Sequence, residues 1–301
     1  MPEARRHCVF LTEDGRENGA GKGVEPDDEH AAHALRRRGW SVHGLGWRQA
    51  ATASDLEGVL AVVRSTWDYV GSPADFLASL AELESRGARL ANRLETMRWN
   101  CDKSYLRDLE RAGVPVVPTR WWDGCDPQRL AASVDEVLQT SQGVVLKPTI
   151  GANAYKTLSL RRSDLDAGGL EAATRDLAGL SVMVQPLLDS VRREGEWSVV
   201  FLGGAPSHAV IKRPAAGEFR VQESLGGRIA AAELSGELIE AAAGALAPLE
   251  APPLYARVDL LRGDDGGLLL IELELIEPSL FFALGPGSAE RFADAVEEWT
   301  R

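Results

Sequence analysis

The sequence predicts a composite fold, one part α/β on a parallel sheet and the other α+β on antiparallel sheets. Three observations predict it. Strand and helix patterns alternate through residue 85, as in a parallel sheet with crossover helices. Short apolar strands then recur between residues 143 and 212. Residues 255–276 read as one hairpin around a Gly-rich turn at 263–267. The implied lobes are residues 1–95, 96–184 and 185–301.

Residues 9–12 form a short apolar strand, followed by a polar, Gly-rich loop over 13–28. A helix over 28–38 stops at Gly39, whose missing Cβ suits a left-handed cap. Strands are expected at 41–45 and 58–63. Pro73 opens a helix to residue 85, with Ser72 as its expected cap. Residues 92–100 read as a hinge, then a helix over 101–112 ends at Gly113. Residues 114–122 are extended and punctuated by prolines. A helix at 130–138, strands at 143–147 and 158–160, and a helix at 170–177 come next. Strands at 182–187, 197–202 and 208–212 precede a helix over 236–246, the hairpin, and a last helix over 288–299.

Composition narrows the class. The 301 residues carry a net charge of -12, from 45 acidic and 33 basic side chains. That excludes a general nucleic-acid binder, which needs a basic face, and disfavours an anionic membrane surface. Cys8, Cys101 and Cys125 are odd in number and widely spaced, giving neither a disulfide frame nor a zinc site. Arg5 and Arg6 precede an apolar run too short for a signal peptide. No stretch approaches the about 18 apolar residues of a membrane span. The expectation is a soluble cytoplasmic protein, with a homodimer left open.

The hairpin carries the first chemical signal. Strands expose alternate residues on one face, so Arg257 and Asp259 point one way and Val258 and Leu260 the other. On the returning strand Glu272 and Glu274 share a face, opposite Leu273 and Leu275. A turn centred near Asp265 sets Asp259 across from residues 271–272. Three crowded carboxylates repel one another, and a hard divalent cation, magnesium or manganese, relieves that cost. The alternative is an amphipathic edge with a solvated acidic face. The apolar residues 280–282 beyond Glu277 and Pro278 argue for burial.

Lys147 leaves an apolar strand into Gly151, Ala152, Asn153 and Ala154, whose small side chains permit close backbone approach to phosphate. The spacing is not that of a Walker loop. A solvated lysine at a plain turn is the alternative. Lys103 is expected in the first turn of a helix, where a cation opposes the dipole. Lys212, Arg213, Arg220 and Arg257 offer donors for phosphate or carboxylate oxygens, or surface ion pairs. His208 is a candidate general base or a structural histidine. Trp67 beside Asp68 is a candidate pocket wall.

These pieces stand in a known order. Residues 64–69 (RSTWDY), 99–103 (WNCDK), 194–199 (EGEWSV), 212–214 (KRP), 255–259 (YARVD) and 272–281 (ELELIEPSLF) together resemble the ATP-grasp superfamily. They are most similar to its glutathione-synthetase-like branch, which includes D-cycloserine synthetase, a cyclo-ligase of O-ureido-D-serine. The resemblance covers nearly the whole chain. It implies an ATP-grasp fold, with an N-terminal parallel α/β lobe and two further lobes sandwiching ATP.

It further implies an ADP-forming, ATP-dependent ligase making a C–N bond through an acyl phosphate. Lys103, Lys147, Thr149, Gly151 and Ala152 would bind ATP phosphates. Gln185, Pro186, Leu187 and Leu188 would read the adenine edge, and Glu196 the ribose. Asp259, Glu272 and Glu274 match the metal ligands, although many relatives have Asn where Glu274 stands. Arg220, Lys212 and Arg257 would steady the transferred phosphoryl and acyl groups. Ser65, Asp68 and His208 are expected near a small amino-acid-like substrate. An intermolecular amide ligase and a non-catalytic nucleotide-binding module are the competing readings.

Overall fold

In the computed structural model, the structure describes residues 6–14, 24–124, 126–166 and 168–301. Cys125, Arg5 and most of the loop expected at 13–28 lie outside the described residues.

Four strands open the chain: β1 (His7–Thr12), β2 (Ser41–Gly46), β3 (Leu60–Ser65) and β4 (Arg89–Ala91). They pair in parallel in the order β2-β1-β3-β4. Their alternation supplies two faces. Cys8, Phe10, Leu60 and Val62 enter one core, while Val9, Leu11, Ala61 and Val63 enter another. Both faces of the central strands β1 and β3 are covered, which is why their cores, residues 8–11 and 60–63, read as continuous apolar runs. Helix α1 (Asp28–Arg37) packs on the first face, and α2 (Trp47–Thr52) and α3 (Pro73–Ser85) on the second.

The expected hinge is replaced by a helix. After β4 comes α4 (Leu94–Asn100), then α5 (Tyr105–Arg111). The side-chain amide of Asn92 donates to the Tyr255 and Leu275 carbonyls at 2.9 and 2.8 Å, and its oxygen accepts from Leu254 N. A segment tied by three buried hydrogen bonds is a fastening. Three other local expectations also change. Ser72 makes no cap; its hydroxyl accepts from Arg48. Helix α5 begins at Tyr105, so Lys103 precedes it and does not oppose its dipole. Only β5 (Arg120–Trp122) of the extended run is a strand.

The central lobe is the sheet β5-β8-β6-β7, made with β6 (Gly143–Pro148), β7 (Leu158–Arg161) and β8 (Val182–Pro186). Its pairings are antiparallel. Val144, Leu146, Val182 and Val184 face α6 (Pro127–Leu138) and α8 (Gly169–Asp176), which follows the short α7 (Arg162–Asp166). Asp126 caps α6 by accepting from Gln128 N and Arg129 N. The alternating residues Val145, Lys147 and Gln185 face a cleft.

The third sheet, β11-β10-β9-β12-β13, forms the other wall. Its strands are β9 (Glu196–Leu202), β10 (Ala205–Arg213), β11 (Arg228–Ala232), β12 (Tyr255–Arg262) and β13 (Leu268–Glu274). A short helix, α9 (Ser190–Arg193), leads in from β8. One face buries Val199, Phe201, Val258, Leu260 and Leu273 against α10 (Gly236–Leu246). The last helix, α11 (Ser288–Trp299), returns to the first lobe, where Phe292 meets Phe10 edge-on at 6.2 Å. No described helix is long and apolar enough to cross a membrane.

Candidate active site

A cleft of about 520 Å³ lies between the central and third sheets. The acidic hairpin is one wall, in the expected register: Asp259 opposes Glu272, and Arg257 opposes Glu274. Each of Asp259, Glu272 and Glu274 offers an oxygen within 4.8 Å of the others. The alternative of a solvated edge fails on burial, since Asp259 is 2% exposed.

The free edge of β13 is held in place. Asn100 donates to Leu273 O at 2.8 Å and accepts from Leu275 N at 2.9 Å. The Tyr105 hydroxyl accepts from Leu273 N. An edge strand leaves such groups unpaired; here two side chains of the preceding segment satisfy them on either side of Glu274.

Cations compensate the carboxylates. Arg257 donates from Nε and NH2 to Asp259 at 3.0 and 2.9 Å, and also pairs with Glu274. Lys212 Nζ lies 3.1 Å from Asp259 and also pairs with Glu196. Ser198 Oγ donates to Asp259 at 2.5 Å. Burial pushes the Asp259 carboxyl up, but Arg257 and Lys212 outweigh it and hold the group well below the carboxylate range. Glu274 goes the other way: burial pushes it up to about 8 despite Arg257, with Glu272 and Asp259 adding to the rise. A divalent cation fits this donor set, because hard oxygens from facing strands converge and repel without one.

The opposite wall supplies the lysines. Lys103 Nζ donates to Gly151 O at 2.6 Å and pairs with Glu272 at 3.1 Å. Burial pulls the Lys147 ammonium below its ordinary value, against the opposing field of Glu272. The Gly151–Ala154 loop carries left-handed backbone at Asn153 (φ 51) and Ala154 (φ 56). Gln185, Pro186, Leu187 and Leu188 line the cleft as expected, and the Gln185 amide donates to Thr119. Arg220 lines it too, paired with Glu218 at 2.8 Å, and its Nε is buried without a partner.

Four expected residues are not among the cleft-lining residues. Thr149 turns its hydroxyl to Asp102, 3.0 Å away. Asp68 accepts from Trp47 Nε1 and from Arg48. Ser65 is buried with its hydroxyl unpartnered. His208 has both ring nitrogens engaged, Nδ1 with Ser207 Oγ and Nε2 with Leu280 O, which makes it a structural histidine. Strand alternation placed the hairpin acids, but sequence gives no direction for residues beyond strand ends. For the same reason Tyr69, Asn100 and Glu277, which lie outside the strands and line the cleft, escaped notice; Ser198 lies within β9 two residues after Glu196, so the period of two could have placed it on the same face.

Comparison with known proteins identifies the family. Residues 8–92 match the family model of the D-cycloserine synthetase DcsG N-terminal domain, and residues 128–261 that of the prokaryotic glutathione synthetase ATP-grasp domain. The cycloserine biosynthesis protein DcsG of Streptomyces lavendulae is 33% identical over 284 residues, covering 91% of this chain and 94% of that protein. The chain is an ATP-grasp ligase of the D-cycloserine synthetase family.

As in that family, the enzyme is an ATP-dependent ligase that uses ATP and a divalent metal ion on a small-molecule substrate. The crystal structure of D-cycloserine synthetase DcsG superposes with a TM-score of 0.84 at 29% identity, over 98% of this chain and all of that one. D-alanine–D-alanine ligase from Bacillus anthracis complexed with ATP matches with a TM-score of 0.64 at 15% identity, which speaks for the shared fold alone.

Proposed function

We propose that the enzyme is a cyclo-ligase that closes D-cycloserine from O-ureido-D-serine or a close analogue. The observation that carries this reading is end-to-end similarity to DcsG together with a cleft whose acids and cations face each other across two sheets. A carboxylate oxygen of the substrate attacks the γ-phosphorus of ATP, the bond to the bridging oxygen breaks, and ADP leaves. A nitrogen of the same molecule then bonds to the acyl carbon. Phosphate departs with the C–O electron pair and the attacking nitrogen, the one bonded to the side-chain oxygen, gives up its proton; water then takes the carbamoyl group off that nitrogen as carbon dioxide and ammonia, which leaves D-cycloserine. Intramolecular attack needs no second substrate, so only one molecule has to be oriented.

In this reading Lys103 and Lys147 neutralise the phosphates, and Gly151 and Ala152 cover them. The strand end at Gln185–Leu188 meets the adenine, and Glu196 the ribose. Arg220 and Lys212 oppose charge growing on the transferred group, with Arg257 holding Asp259 in place. Asp259, Glu272 and Glu274 would hold magnesium or manganese, both of which an all-oxygen donor set suits. When bound, the metal supplies positive charge against the phosphate oxygens. The cytoplasm, where ATP is available, is the proposed location.

The test is ADP release with magnesium and O-ureido-D-serine alone. Release without an added amine supports cyclisation. Release only with an added amine favours an intermolecular ligase, the reading kept open by the glutathione synthetase match at 128–261. Unimpaired turnover in both Asp259→Asn and Glu272→Gln would sink the assignment of the metal wall.

A further inference from the structure

Glu277 follows β13 by three residues and lines the same cleft, 8% exposed. It lies outside the group of three converging carboxylates. The other buried or half-buried acids of that cleft are each matched by a cation. Glu196 has Lys212, Asp259 has Lys212 and Arg257, Glu272 has Lys103, and Glu274 has Arg257. Glu277 makes no ion pair with any described residue. Lys103 is the strongest positive influence on it, but that ammonium is committed to Glu272 and the Gly151 carbonyl. The next aid is the neutral Tyr69 hydroxyl.

A buried carboxyl with so little compensation is costly, and burial pushes it up to about 7. The surrounding backbone is nevertheless fixed. Trp67 Nε1 donates to the Glu277 carbonyl at 3.2 Å, Arg64 to the Pro278 carbonyl at 2.8 Å, and Arg257 to the Ser279 carbonyl at 3.2 Å. The carboxyl is thus held at the cleft wall by its neighbours, beside the metal-strand acids.

We propose that Glu277, supported by Tyr69, binds the α-ammonium group of the substrate. In an α-amino acid the ammonium and the carboxylate to be phosphorylated share one carbon. The group that reads the ammonium must therefore stand close to the groups that serve the carboxylate. Glu277 meets that condition, and the incoming cation supplies the partner the protein lacks. This inference rests on the ligase reading above and adds the feature that selects amino acids over other carboxylic acids.

The experiment compares the amino-acid substrate with its deamino analogue, which carries hydrogen in place of the amino group. ADP release is measured for the wild type, Glu277→Gln and Glu277→Asp. The wild type should prefer the amino compound. Glu277→Gln should raise KM for that compound roughly 10- to 100-fold, the size of a charge-assisted hydrogen bond, and collapse the preference. Glu277→Asp, which keeps the charge, should keep a preference for it. An undiminished preference in Glu277→Gln overturns the inference. So does a wild type that turns over both compounds equally, a result that needs no folded variant. If the wild type ignores O-ureido-D-serine but activates another amino acid, the cyclo-ligase reading falls, and Glu277 is judged on that amino acid and its deamino partner.

Discussion

Asp259 shows how tightly one side chain couples binding chemistry to stability. Arg257, Lys212 and Ser198 all converge on its carboxyl, and it is almost fully buried. Replacing it by Asn leaves two buried cations short of charge, which typically costs about 3–5 kcal/mol. Asp259→Asn should therefore lose both ADP release and a large part of its stability in a urea titration. Glu272, whose side chain is 25% exposed and whose one ion pair among the described residues is with Lys103, should tell the two effects apart. Glu272→Gln is expected to abolish turnover while shifting the urea midpoint much less. His208 makes a prediction of a different kind. Burial lowers its pKa, so the folded state disfavours the charged ring. The stability this contributes is present above the unfolded pKa, about 6.5, and is lost as pH falls through it. The Tm difference between the wild type and His208→Asn should shrink between pH 7.5 and 5.5; a constant difference would contradict it.

At the scale of elements, the fastening of β13 is the decisive feature. Asn100 bridges Leu273 O and Leu275 N, and Asn92 ties Leu275 O to β12 through Tyr255 O. Asn100→Ala leaves a buried carbonyl and a buried N–H without partners, at about 1–3 kcal/mol each. A drop of that order in unfolding free energy, with a larger fractional loss of turnover than of ATP binding, is the expected outcome. The hairpin itself was legible, because a period of two and a Gly-rich turn fix which residues face each other. The fastening was not. Asn92 and Asn100 flank a mixed polar and apolar stretch and look like loop residues, and only tertiary contact reveals that their amides serve another strand. The short α2, β4 and β11 were missed for a similar reason: at six, three and five residues they carry too little periodicity to rise above their surroundings.

For the whole molecule, the order of lobes along the chain could be read, but their joining could not. The ordered motifs located the cleft, yet nothing in them shows that the first lobe and the third sheet share a core. Phe10, Leu35 and Val62 pack with Val200, Leu202, Leu254 and Tyr255, and with Phe292 and Val296 of α11. The Tyr255 hydroxyl donates to the Val63 carbonyl at 2.6 Å and also lies 2.8 Å from the Ile276 carbonyl. Arg64, paired with Asp28 at 2.8 Å, reaches the Pro278 carbonyl. A ligand that binds only the folded cleft stabilises by mass action, so ATP with magnesium at 100 times its Kd should add about 2.7 kcal/mol. Removing the metal with EDTA should return most of that gain, read as a fall in Tm.

The shared core has a consequence for how the protein is made. The ribosome delivers the parallel sheet before the third sheet, yet the face that α1 shares stays only partly covered until Phe292 and Val296 emerge about 200 residues after β4. The lobe that precedes the other two along the chain is thus completed last. During that interval the nascent chain carries an exposed apolar surface with a row of strand edges, the condition under which chaperones are needed and aggregation begins. A chain truncated before Ser288 should therefore be recovered in the insoluble fraction, although every residue lining the cleft is still present.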